Sequence, residues 1–257
     1  MFNLESFGIK LNTDYIGRNF IYFEEIDSTN TYLLNQENKI DISGTVVLAE
    51  FQTKGRGRMD RHWKSDSAQN LTFSVLFVNN KSLFESLNFL NFSAALAVAS
   101  SIENLYQLKP EVKWPNDILI NRKKTCGILI ETVTTRNEIE KVVVGIGINV
   151  NQSQFTGEYN YPPTSIRIQL GKEVERERLL AEILNNFEHY INKLKSNKES
   201  IINEWKTRCK MIGEKISVRL NNEIKYGIFD DIDKNGFLLL RTKKGLEKIT
   251  AGDLLAQ

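Results

Sequence analysis

Apolar residues recur every three or four positions in two long stretches of this chain, and at alternate positions in several short ones. Phe84, Leu87, Leu90, Ala94, Val98, Ile102 and Leu105 keep the helical interval and predict one long helix over 82–107. Leu179, Ile183, Phe187, Tyr190 and Leu194 predict another, with the clearest amphipathic face, and a further helix is expected over 197–210. Alternation marks a strand, and Leu71, Phe73, Val75 and Phe77 place one over 71–78. Residues 19–26 read as a strand, and the apolar, β-branched run from Gly44 to Phe51 reads as a buried one. Ser28-Thr29-Asn30 stands before Tyr32, Leu33 and Leu34, where a hydroxyl can cap a helix. Short strands are expected at Asp117–Asn121, Gly127–Val133 and Lys141–Val150.

The pattern shifts after Met211. Strands over 214–220, 223–230, 236–241 and 246–250 are separated by Asn221-Asn222, Lys234-Asn235-Gly236 and Lys243-Lys244-Gly245, all of them turn formers. The predicted fold is therefore α+β. Residues 1–210 form a mixed central β-sheet with packed helices. Residues 211–257 form a small β unit, a partly open barrel with few large apolar side chains that leans on the main domain.

Composition narrows the function. The chain has 257 residues, 41% hydrophobic and 26% charged, as a globular protein should. A net charge of +2 does not mark a general nucleic-acid binder. Two cysteines, Cys126 and Cys209, suit a reduced cytoplasmic protein better than a disulfide scaffold. Only His62 and His189 are present, so His-based metal sites and proton relays are poor candidates. No apolar run reaches the roughly 18 residues of a membrane span, and no secretory signal opens the chain.

Charge does gather locally. From Lys54 to Lys64 run five cations and one carboxylate, broken by Gly55 and Gly57 and joined by Trp63. Arginine forks suit phosphate or carboxylate, glycine lets backbone approach a ligand, and indole offers a flat face to a heterocycle. A nucleotide is the obvious ligand. Residues 53–65 hold too little apolar surface to pack by themselves, so they are expected to become ordered on binding an anion. The familiar phosphate motifs do not fit. Lys64-Ser65 follows Trp63, not glycine, so no Walker loop is present. Gly145-Ile146-Gly147-Ile148-Asn149 starts like a dinucleotide fingerprint but lacks its third glycine. It suits either a tight strand crossing or a close approach to a ligand. Lys113-Trp114-Pro115-Asn116-Asp117 puts a cation and two polar groups around a proline, and Lys124 stands three residues before Gly127. Either segment alone could be structural.

Taken together and in this order, these segments resemble the catalytic domain of biotin protein ligases. The resemblance rests on Gly55-Arg56-Gly57-Arg58 with Arg61 and Trp63, on Lys113 to Asp117, and on Lys124-x-x-Gly-Ile-Leu-x-Glu131. Asp27-Ser28-Thr29-Asn30, Ala49-Glu50-Phe51-Gln52 and Gly145 to Asn149 match too, and the segment after Met211 fits the family's SH3-like domain. One position departs: Asp60 stands where the family usually has glycine. The catalytic signature begins near residue 27, leaving no room before it for the helix-turn-helix domain that some members carry.

The resemblance implies a class II synthetase-like, biotin/lipoate ligase fold. It implies ATP and biotin as substrates, with magnesium, and a two-step reaction through biotinyl-AMP. The acceptor would be a lysine on the biotin carboxyl carrier domain of a biotin-dependent carboxylase. Both nucleophiles then come from substrates, which agrees with the scarcity of histidine. By the same resemblance Lys124, Arg56 and Arg58 are catalytic. Ser28, Thr29, Asn30, Gln52, Gly55, Arg56 and Lys124 bind biotin. Arg58, Arg61, Trp63, Lys113, Asn116, Asp117 and Asn149 bind the nucleotide, and Asp117 either holds magnesium or orders Lys113. Plainer roles compete for several of these: Ser28 as a helix cap, Trp114 and Cys126 as packing, and His62 as a solvated loop residue. No specific DNA binding and no membrane partner are expected, and the protein is expected to be a monomer or weak homodimer. Two other functions fit less well. A lipoate or octanoate ligase would not need polar groups for a ureido ring. A nucleic-acid-binding module would need a reading helix or a broad basic face.

Overall fold

The computed structural model describes residues 2–255 apart from 60, 137, 158, 160, 221 and 222. Asp60 and the expected Asn221-Asn222 turn therefore lie outside the described residues. The main sheet has seven strands: β1 (Phe20–Ile26), β2 (Val46–Gln52), β3 (Leu71–Val78), β4 (Pro110–Lys113), β5 (Asp117–Ile120), β6 (Lys123–Thr135) and β7 (Glu138–Ile148). Their order is β1-β2-β3-β7-β6-β5-β4. Only β1 and β2 run parallel; every other neighbouring pair is antiparallel. The helices are α1 (Leu4–Lys10), α2 (Thr29–Leu34), α3 (Lys81–Phe84), α4 (Leu87–Tyr106), α5 (Ile166–Leu170), α6 (Arg176–Ser196) and α7 (Lys198–Arg208).

Strand alternation gives the sheet two unlike faces. Leu48, Phe73, Val75, Phe77, Val144 and Ile146 join one large core cluster with α4 and α6. Their neighbours Val47, Leu76 and Val143 turn the other way and form a small cluster with Leu33 of α2. α2 is too short to cover that second face. The remainder, including Thr72, Gly127, Gly145 and Gly147, lines an open cavity.

The predicted helix over 82–107 is two helices. α3 ends at Phe84 and α4 starts at Leu87, with Glu85 and Ser86 as their caps. Phe84 and Leu87 both pack on the core, so the apolar interval runs through the break unaltered. β6 and β7 extend beyond the expected limits, with Thr134 paired to Ile139 and Thr135 to Glu138. Those ends are polar or exposed and give no apolar signal. The predicted amphipathic helix is α6, and Leu179, Ile183, Phe187, Tyr190 and Leu194 are all buried on it.

The C-terminal sheet comprises β8 (Lys215–Leu220), β9 (Glu223–Ile232), β10 (Leu238–Thr242), β11 (Gly245–Ile249) and β12 (Asp253–Leu254), in the antiparallel order β11-β10-β9-β8-β12. Its buried side chains, among them Val218, Phe229, Leu238 and Leu240, belong to the same cluster as the main core. The unit does lean on the main domain. Trp114 donates its indole N–H to the Gly236 carbonyl at 3.3 Å, in the turn predicted at Lys234-Asn235-Gly236, and Lys206 pairs with Asp231 at 2.8 Å. Among the described residues no helix is long and apolar enough to cross a membrane.

Candidate active site

The cavity on the uncovered sheet face measures about 380 Å³. Its floor depends on three glycines, because a side chain at each would collide with something already there. A Cβ on Gly145 would strike the Asn30 amide, and one on Gly147 the indole of Trp63. A Cβ on Gly127 would lie 3.2 Å from the same ring and 3.3 Å from the Lys124 ammonium. Gly145 and Gly147 sit in straight pairing with β3 and β6, and the groups that approach them closely are the Asn30 amide and the Trp63 ring.

Polar side chains from four elements form one wall. Gln52 at the end of β2 accepts from the Thr29 backbone N–H at 2.7 Å and from its hydroxyl at 3.0 Å. Thr29 meets Ser74 of β3 at 2.6 Å, and Ser74 donates to Asn30 at 2.5 Å. Asn30 donates in turn to Glu131 of β6 at 2.7 Å. Thr29, Asn30 and Ser74 are buried, so these bonds fix the wall. Ser28 caps α2, accepting from Thr31 N–H at 3.4 Å, and also lines the cavity.

The basic segment closes the opposite side. Backbone hydrogen bonds shape it, while Arg56, Met59, Arg61, His62 and Lys64 are exposed. Gly57 N–H bonds to the Arg61 carbonyl at 2.6 Å and Trp63 N–H to Gly55 at 3.0 Å, giving a tight hairpin with Trp63 seated on the glycine floor. Gly55 serves that hairpin: a Cβ there would stand 2.5 Å from the Trp63 carbonyl. It lines an adjoining hollow, not the main cavity. The Trp63 indole N–H is buried with no acceptor among the described residues. His62 is exposed, as expected of a loop residue, though it touches the cavity.

Six lysines and arginines line this space, and five of them, all but Lys64, pair with a carboxylate among the described residues. Arg56 pairs with Glu131 at 2.9 Å. Arg58 pairs with Asp253 at 3.2 Å, and Arg61 pairs with the same carboxylate. Lys113 and Lys124 share Asp117, at 3.0 and 2.6 Å. Five cations against three carboxylates leave an excess of positive charge suited to an anion. Burial works against the Asp117 charge, but the two ammonium groups outweigh it and hold the carboxyl well below the usual carboxylate range. Burial lowers the Arg58 guanidinium, and Asp253 and Asp117 oppose that shift.

Asp117 thus orders lysines. No cluster of three acidic, His or Cys side chains able to hold a metal occurs among the described residues. Asn116 is likewise engaged, donating to the Ile128 carbonyl at 2.6 Å and accepting from Arg58 at 3.3 Å. Asn149 donates to Thr164 at 3.0 Å. Every predicted site residue except Gly55 lines the cavity. Trp114 and Cys126 are buried packing, as their plainer readings had it, and burial pushes the Cys126 thiol up.

Sequence reasoning missed several lining residues. Behind the lining, Ser74, which holds Thr29 and Asn30, looks like any small strand residue. Tyr161, whose ring lies 4.5 Å from the Lys113 ammonium, belongs to an irregular segment with no periodicity, as do Phe155 and Tyr159. Asp253 comes from the far end of the chain. Local signals do not reveal such partners.

Comparison with known proteins agrees with this arrangement. Residues 22–149 match the model of the biotin/lipoate A/B protein ligase family, and residues 211–254 match that of the biotin protein ligase C-terminal domain. The chain is 35% identical over 251 residues to the bifunctional ligase/repressor BirA of Bacillus subtilis, covering 96% of this chain and 76% of that protein. It is 32% identical over 235 residues to the biotin–[acetyl-CoA-carboxylase] ligase of Paracoccus denitrificans, covering 89% and 96%. The Aquifex aeolicus biotin protein ligase, solved with biotin and ATP, superposes with a TM-score of 0.80 at 30% identity, covering 92% of this chain and 97% of that one. The chain belongs to the biotin/lipoate A/B protein ligase family.

Proposed function

We propose that this chain is a biotin–protein ligase that activates biotin with ATP and transfers it to a lysine of a biotin carboxyl carrier domain. One observation supports this most: six cations from three separate segments converge on one cavity, beside a wall of neutral donors and acceptors. The cations suit the phosphates and carboxylate of the reactants. The wall of Ser28, Thr29, Asn30 and Gln52, with Ser74 bracing it from behind, suits a ureido ring, which needs donors and acceptors together. An aliphatic acyl chain has no donors or acceptors to offer these groups, which disfavours lipoate or octanoate.

In the first step the biotin carboxylate attacks the α-phosphorus and pyrophosphate leaves. In the second a carrier lysine attacks the acyl carbon and AMP leaves. The protein supplies no nucleophile. Its work is to bring two anions together and stabilise charge on oxygen. We read Lys124 as serving both steps, a role supported by its position between the glycine floor and Asp117. Arg56, Arg58 and Arg61 take the carboxylate and phosphates, all three lining the cavity. Trp63, which lies over Gly127 and Gly147, offers its ring to adenine, and Asn149 keeps a carbonyl oxygen for the base edge. Asp117 keeps Lys113 and Lys124 charged and aimed. Magnesium enters with the ATP phosphates, as part of the substrate.

The test is transfer. Incubated with ATP, magnesium and a biotin carboxyl carrier domain, the protein should add the mass of biotin to the carrier. A shift with lipoate or octanoate but none with biotin contradicts the proposal.

A further inference from the structure

Asp253 is delivered to the cavity by the small sheet. Its strand, β12, pairs with β8, Asp253 opposite Arg219. Gly252 makes the turn before it at φ +150, and a Cβ there would lie 2.8 Å from Leu220 Cδ2 and 2.9 Å from the Arg219 carbonyl. The Asp253 side chain is only 10% exposed. One carboxylate oxygen accepts from Arg58 Nη1 at 3.2 Å and the other from Arg61 Nη2. The Gly252 carbonyl takes Arg58 Nη2 at 3.2 Å.

These bonds hold two like charges together. Without a shared carboxylate, Arg58 and Arg61 would repel, and Arg61, whose side chain is 43% exposed, would turn to water. The bonds also leave donors over. Arg58 uses Nη1 and Nη2, and Arg61 uses Nε and Nη2, so Arg58 Nε and Arg61 Nη1 have no partner among the described residues. Both arginines line the cavity. A phosphate can therefore find one edge of each fork ready and the other edge anchored.

We propose that Asp253 is a positioning residue for ATP: acting through Arg58 and Arg61, it makes the C-terminal sheet a working part of the nucleotide site. This rests on the reading of those arginines as phosphate ligands. An assembled pair of guanidinium groups spares the ligand the cost of ordering them, so the effect belongs in ATP affinity and not in the biotin pocket.

The experiment compares KM for ATP, kcat and biotin affinity in native protein, Asp253→Asn, Asp253→Glu, Arg61→Ala and the Asp253→Asn/Arg61→Ala double variant. Asp253→Asn should raise KM for ATP about tenfold, the scale of one charge-assisted hydrogen bond, with kcat and biotin affinity changed less than about twofold. Asp253→Glu should recover most of the loss. In the Asp253→Asn background, Arg61→Ala should cost much less than it does in the native protein, because both act on one contact. An unchanged or lower KM for ATP overturns the proposal, and so do fully additive effects. Lost biotin binding in Asp253→Asn also overturns it, since the carboxylate would then be holding the fold. If Arg61→Ala and Arg58→Ala both leave KM for ATP unaltered, the phosphate-clamp reading fails first and this inference falls with it.

Discussion

Lys124 touches three parts of the site at once. Its ammonium lies 2.6 Å from Asp117 and 5.8 Å from the centre of the Trp63 ring, and its stem borders Gly127. A cation so placed acts most strongly when charge builds on phosphate oxygen. Losing one such donor typically costs about 2.7–4 kcal/mol, roughly 10²–10³ in rate. Lys124→Ala should therefore cut biotinyl-AMP formation by that factor while the circular dichroism spectrum is unaltered, because Lys113 still satisfies Asp117. Near-native adenylate formation would remove Lys124 from the chemistry. At this scale the sequence was informative about residue type and poor about partnership. Lys113 and Asp117 lie four residues apart and could be paired on paper, but Arg61 and Asp253 lie 192 apart and could not.

At the scale of elements, the glycine floor and the hairpin from Gly55 to Trp63 are one device. Trp63 rests where Gly127 and Gly147 leave room, yet its N–H is buried without an acceptor, an arrangement that costs free energy and favours a rearrangement on binding. Trp114 and Trp205 are only 3% and 1% exposed and far less free to move. Tryptophan emission should thus change when biotin and ATP are added, and Trp63→Phe should abolish the change. A change of equal size in Trp63→Phe would place the rearrangement elsewhere. Elements with strong periodicity, such as β3 and α6, were legible in the sequence. β4 and β12, with four and two residues, are too short to show a period, and the break before Leu87 is hidden because both sides face the core.

At the scale of the whole molecule, the function depends on how the two faces of the main sheet are used. Helices fill one face with apolar packing, and the other is left to a short helix, a glycine floor and the cavity. The small sheet has no separate core; it shares the main one and reaches the cavity through Asp253 and Leu254. The sequence placed the boundary near Met211 and expected this unit to lean on its neighbour, but its contribution to the cavity emerges only from the three-dimensional arrangement. Taken together, the cavity is built to join two anions, and the first product of that joining is measurable without any carrier. The most direct test is pyrophosphate release by the purified protein given magnesium and ATP, with and without biotin. The account predicts a burst that requires biotin and then stalls as biotinyl-AMP stays bound. Release that is indifferent to biotin, or none at all from folded protein, would contradict it.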